Sequence, residues 1–208
     1  MRPLGGVWEQ VLIFSDKSCA FPNTGDLGLD WSRWFRKAIW EAAKQAWGAE
    51  RWLREHPDRV FLDRPCTYRF PLDIPPADLM CVHHIVVAHN AADLCATHFG
   101  GGTGTLVFNS DLGGQDHYSD PSSCSPFEVG WLDRSRRFVH VLDDDSLEIL
   151  LTTRDTITDF VDYLQAKEEL LHSFKDRDVR FPVRRRGTAR QLPVDGLSSN
   201  PAHSGLLR

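Results

Sequence analysis

Residues 11–18 read Val11-Leu12-Ile13-Phe14-Ser15-Asp16-Lys17-Ser18, and residues 41–49 read Glu41-Ala42-Ala43-Lys44-Gln45-Ala46-Trp47-Gly48-Ala49. The first stretch predicts a strand over Val7–Phe14. Its continuous apolar run, Val11 to Phe14, suits a strand covered on both faces. The second lies in a long helix expected from an Asp30 N-cap to about Glu55, closed by Pro57 and Asp58. Trp31, Trp34, Phe35, Ala38, Ala42, Ala46, Ala49, Trp52 and Leu53 recur at three- and four-residue spacing. Gln45 falls inside that stripe and Glu41 lies one turn before it. A polar pair bordering an apolar face needs partners, because an unpaired buried amide costs on the order of 1–3 kcal/mol.

Further along, Cys81–His89 predicts a strand, Ala91–Phe99 a short helix ended by Gly100-Gly101-Gly102, and Thr105–Phe108 a strand. A long loop is expected over Asn109–Pro126. Phe127–Leu132 and Phe138–Leu142 read as two strands joined by a polar turn at Asp133–Arg136. Residues 57–80 read as a connection with a short strand near Val60–Leu62. Asp143-Asp144-Asp145 leads into a helix near Leu147–Leu151, and Asp155 is the expected cap of a last helix. Together these predict an α/β domain over residues 1–173, a mixed central sheet flanked by helices. Residues 174–208 are the expected disordered tail.

Charge is divided the same way. The chain has 24 Lys and Arg against 29 Asp and Glu, a net charge of −5. Residues 174–208 hold eight basic and three acidic side chains, which leaves a strongly acidic body. Such a body does not attract nucleic acid at long range, although a local site can still engage it. The Arg184–Arg186 cluster is read as solvated. No apolar run approaches the ~20 residues that span a bilayer, so no membrane partner is expected. Five scattered cysteines without a CxxC pair point to reduced thiols in a cytoplasmic setting.

Ser15-Asp16-Lys17 at a strand end, with Lys44-Gln45 and Gly48-Ala49 on the next helix, resembles the PD-(D/E)xK nuclease superfamily. The nearest group is the bacterial nuclease-related, NERD-like one. The chain is also similar to uncharacterised bacterial proteins that share its FSDKSCAFP and QxWGAERWL segments. The signature covers about a quarter of the sequence. The resemblance implies a restriction-endonuclease-like core and a Mg²⁺-dependent phosphodiesterase site. In that site Lys17 matches the motif lysine and Gln45 the helix glutamine. Asp16 is the acidic candidate for the metal, and Glu41 accompanies Gln45. The family places a carboxylate two residues before its lysine, where this chain has Ser15. Asp16 is expected on the strand face opposite Lys17. The expectation is therefore a nuclease-related fold, truncated so that it lacks its first strands, and a Mg²⁺-dependent nuclease only if its metal site still works. The alternative is a non-catalytic interaction module that keeps the fold. Nucleic acid is the partner implied by the resemblance, and an uncovered sheet edge would favour self-association.

Two further patterns invite chemistry. Cys81, His83, His84, His89, Cys95 and His98 lie within eighteen residues, but their spacing matches no standard zinc module. Core or surface histidines are the expected reading. Gly100-Gly101-Gly102-Thr103-Gly104 follows a helix instead of opening one, so a helix-end turn is expected there, not a phosphate loop.

Overall fold

A computed structural model describes residues 9–176, with side chains through Ser173. The expected tail lies outside those residues, apart from its first few positions, which continue the last helix. Five strands and five α-helices follow in the order β1 (Gln10–Lys17), α1 (Leu27–Phe35), α2 (Glu41–Glu55), β2 (Cys81–Ala88), α3 (Ala92–Phe99), β3 (Val107–Gly113), β4 (Glu128–Trp131), β5 (Val139–Leu142), α4 (Asp144–Thr153) and α5 (Ile157–Asp176).

The sheet is not mixed. One sheet has the order β1-β2-β5, with both pairings parallel, and β3 and β4 form a second, also parallel. The expected hairpin of the 127–132 and 138–142 strands is therefore absent: β4 pairs with β3, and β5 with β2. Helical crossovers explain this, because parallel neighbours need a long connection of the kind α1–α2 supplies between β1 and β2. β1 lies three residues later than expected, so Ser15, Asp16 and Lys17 are within the ladder, paired with Val86, Val87 and Ala88. It is only half covered, and Phe14 is exposed. Among the described residues its outer edge has no partner.

Strand alternation divides the core. Val86 and Ala88 face α1 and α2, packing with Trp31, Trp34, Phe35, Ala38, Ala42 and Trp47. Ile85, Val87, Leu142 and partly Leu12 face the opposite way, against Leu150, Phe160 and Leu164 of α4 and α5.

The long helix starts earlier than its sequence suggests. Asp26, not Asp30, is the N-cap, accepting from the Leu29 amide at 3.0 Å. Asp30 is instead buried, accepting from the amide and hydroxyl of Thr24, both at 2.8 Å. A π-helical turn, Arg36–Trp40, then separates α1 from α2. A turn of this kind inserts one residue and rotates everything after it. Beyond Ala38, Ala42 and Ala46 stay buried as the stripe predicts, but the buried face turns toward the residues that follow them. Ala43, Trp47 and Glu50 turn inward, whereas Gln45, Ala49 and Trp52 are exposed. Gln45 is thus not a polar interruption in a buried stripe; Glu50 is.

Val60–Leu62 contains only an isolated bridge, Phe61 to Arg69. The 109–126 segment is less loop-like than expected: β3 runs to Gly113 and a 3-10 turn, Gly114–His117, buries His117. The His117 ring accepts from the Gly130 amide at 2.8 Å, tying that turn to β4. The cap of α5 is Thr156, whose hydroxyl accepts from the Asp159 amide at 3.1 Å, in place of Asp155. Gly100 ends α3 with φ +76, as the sequence implies.

Gly104 also has positive φ, +80, and a Cβ there would lie 2.2 Å from the Ala92 carbonyl oxygen. Gly104→Ala is therefore expected to lose more than ~1 kcal/mol of stability, because left-handed backbone and a backbone clash add. Urea titration checks it; an unchanged midpoint would show that this turn gives way freely.

Candidate functional site

Three parallel strands deliver their carboxyl ends to one edge, which is where open α/β sheets place their ligands. Asp16 and Lys17 end β1, His89 follows β2, and Asp143 and Asp144 follow β5. Asn90, beside His89, holds the left-handed conformation at φ +70. Its amide nitrogen donates to Ser18 Oγ and the Cys19 carbonyl, both at 3.3 Å, drawing the β1 and β2 ends together.

His89 is the centre of this edge. Its Nε2 lies 2.6 Å from Asp16 Oδ1, and its Nδ1 makes a close contact with Asp144 Oδ1. Hydrogen bonding to Asp144 and then to Asp16 raises its pKa, against the opposing pull of partial burial. The imidazole therefore spans two carboxylates, whose contacts favour its charged form. Asp143, next to Asp144, is fully engaged: it caps α4 through the Ser146 amide and accepts from the Leu106 amide at 2.7 Å.

The four residues expected from the resemblance are not gathered at one point. Asp16 shares the strand face of Leu12 and Phe14, turned toward α4 and α5, with its side chain 71% exposed. Lys17, the next residue, belongs to the opposite face. Its ammonium makes no hydrogen bond or ion pair among the described residues. Gln45 is exposed on the outer side of α2, and Glu41 pairs with Lys44 at 2.7 Å on the helix surface. Of the four, only Asp16 enters a network.

This bears directly on magnesium. Mg²⁺ requires oxygen donors converging in octahedral geometry. Asp16 and Asp144 offer the right donor chemistry, but they meet opposite nitrogens of one imidazole, so the ring stands between them. As arranged, these residues do not fit the ion.

A second polar cluster lies under the other half of the sheet. Glu168 Oε1 accepts from His83 Nδ1 at 2.9 Å and His140 Nε2 at 2.8 Å, while His83 Nε2 lies 3.1 Å from Gln10 Oε1. Both imidazoles are fully buried. The sequence shows His83 but hides the partnership, because His140 and Glu168 stand 57 and 85 residues further on. The visible signal was a carboxylate at position 168, one helical turn after Leu164 in the apolar stripe of α5. Cys95 and His98 do not join it. Cys95 is buried, its thiol pushed up to about 11 by that burial, and the His98 ring packs at a tilt against Phe127.

Glu50 makes a third connection, from α2 to β2. Its carboxylate lies 2.9 Å from His84 Nε2, 2.8 Å from Arg54 and 3.4 Å from Arg137. The His84 contact is close but poorly aligned for a hydrogen bond. Burial pushes the Glu50 carboxyl up, but His84, Arg54 and Arg137 outweigh it and hold the pKa at about 2. A depressed carboxyl stabilises the fold above its unfolded pKa, and that contribution disappears as pH falls through the folded value. Wild type is therefore expected to lose stability more steeply than Glu50→Gln between pH 4.5 and about 2. Parallel slopes in acid titrations of urea midpoints would contradict this.

No protein-family model matches the chain, and no curated protein or solved structure matches it either.

Proposed function

We propose that this chain is a nuclease-related module that acts by binding and not by metal-dependent cleavage. One observation carries the reading: the His89 imidazole occupies the space between Asp16 and Asp144, where a divalent cation would need both carboxylates. Further support comes from the dispersal of Lys17, Gln45 and Glu41 over the opposite strand face and the helix surface. A serine also stands at position 15, where the related motif calls for a carboxylate. The parallel β1–α1–α2–β2 unit agrees with the strand–helix half of a restriction-endonuclease-like core.

The carboxyl edge is then a polar surface whose charges neutralise one another. Asp16 and Asp144 both face His89, and Lys17 adds a positive charge from the far face. Nucleic acid is the partner class that the resemblance favours, engaged locally because the acidic body gives no long-range attraction.

A second reading, a hydrolase of phosphodiesters using Mg²⁺, is favoured by one observation. Asp16 and Asp144 reach the same sheet edge from different strands. Magnesium titration separates the two. The wild-type chain is expected to show no saturable Mg²⁺ binding at millimolar concentration. His89→Ala frees two like-charged carboxylates and is expected to tighten Mg²⁺ binding by roughly tenfold, since ligand charge and rigidity tune such sites. Equal, tight binding by both proteins would overturn the binding-module reading.

A further inference from the structure

The His83–Glu168–His140 cluster goes beyond what the carboxyl edge explains. We propose that these three side chains form a zinc site, completed by solvent, that fastens α5 to the β1-β2-β5 sheet. The site is separate from the carboxyl edge. His83 pairs with Leu12, whereas Asp16 pairs with Val87, four residues along the strands. That separation is about 13 Å.

Convergence is the first support. One ligand atom from each residue lies within 4.8 Å of the other two, and the residues come from β2, β5 and α5. Tetrahedral zinc with bonds of about 2.0–2.1 Å places its ligands roughly 3.3 Å apart. The present contacts of 2.8 and 2.9 Å need open by only about half an ångström to admit the ion. The second support is burial. Two imidazoles and a carboxylate are set among Ile85, Leu142 and Leu164, and a cation that neutralises the carboxylate and takes both nitrogen lone pairs offsets their desolvation.

The third support is the outer shell. Metal-bound histidines commonly give their other ring N–H to a carbonyl or carboxylate, which fixes the tautomer. His83 Nε2 faces Gln10 Oε1 in just this way, leaving Nδ1 for the metal. Cys81 Sγ, at 3.9 Å, lies on that same Nε2 side, so the donor set is two nitrogens and one oxygen without the thiolate. Imidazoles with one carboxylate suit zinc better than Mg²⁺, which prefers oxygen alone. Glu168 is 26% exposed, and solvent can supply the fourth ligand from its side.

The test uses the full chain, stripped with chelator, titrated with Zn²⁺ alone and assayed for bound metal after gel filtration. One zinc per chain is expected. Glu168→Ala and the double variant His83→Ala/His140→Ala should lose it. Because those variants alter buried side chains on which folding depends, Gln10→Ala serves as a milder one, expected to weaken zinc by about tenfold. Co²⁺ substitution should give visible d–d bands without thiolate charge transfer, unchanged in Cys81→Ser. Three results would each overturn the site. They are a folded wild type that retains no zinc, undiminished zinc in folded Glu168→Ala, and a cobalt charge-transfer band that Cys81→Ser removes.

Discussion

Glu168→Ala, measured in chelator-treated protein, is expected to cost about 3–5 kcal/mol of folding stability, the scale for removing one partner from a buried charged cluster. The carboxylate is the common acceptor for two fully buried imidazoles, so its loss leaves two ring N–H groups without partners beneath α5. Glu168→Gln keeps an acceptor oxygen but no charge, and should fall between the variant and wild type. The carboxyl is held at about 2 despite its burial, by hydrogen bonds and charge from His140 and His83. Urea unfolding followed by circular dichroism gives both differences, provided the slope of the transition is unchanged. A loss below ~1 kcal/mol for Glu168→Ala would mean that water replaces the carboxylate readily and that α5 is not anchored there.

Trp31→Ala carries the other large expectation, about 3–5 kcal/mol, as for truncating a fully buried aromatic. Trp31 is completely inaccessible and its ring contacts those of Trp34, Phe35 and Phe127 at centroid distances of 5.3–5.5 Å. Through Phe127 it joins α1 to the segment that opens β4, and through Trp34 it reaches Phe21 in the loop after β1. The cavity would therefore lie where the two sheets' coverings meet. Trp52→Ala, on the exposed end of α2, should change stability by less than ~0.5 kcal/mol, as surface substitutions do. That pair of variants tests the helix rotation directly, because an unbroken α-helix would have placed both tryptophans on one buried face.

The π-helical turn explains why the sequence led partly astray. Periodicity identified the helix, its end near Glu55 and the buried positions through Ala46, all from Trp and Ala at regular spacing. It could not register a one-residue insertion at Arg36–Trp40, since nothing in Arg-Lys-Ala-Ile-Trp marks a change of hydrogen bonding. Gln45 consequently took a place that belongs to Glu50. β2, α3 and α4 were legible because a β-branched run, a glycine stop and an aspartate cap each act locally. Strand partners were not legible: short strands such as β4 and β5 carry no mark of the neighbour they choose, and adjacency in sequence suggested a hairpin.

The polar clusters follow the same division. Asp16 was visible from its place at a strand end, but its partner His89 and the Asp144 beyond it are brought together only by the parallel register. Asp143–Asp145 read as helix capping, and capping is indeed what Asp143 does, while Asp144 turns to the histidine. The contacts of His83 required knowledge of β5 and α5, so its role could not follow from the histidines nearby in sequence.

Cleavage itself gives the most direct test of the central proposal. Single- and double-stranded DNA and RNA should be incubated with the full chain and with Lys17→Ala, in Mg²⁺ and in Mn²⁺. Equal, background-level products are expected from both proteins. Metal-dependent cleavage by the wild type that Lys17→Ala abolishes would contradict the proposal and make the carboxyl edge an active site.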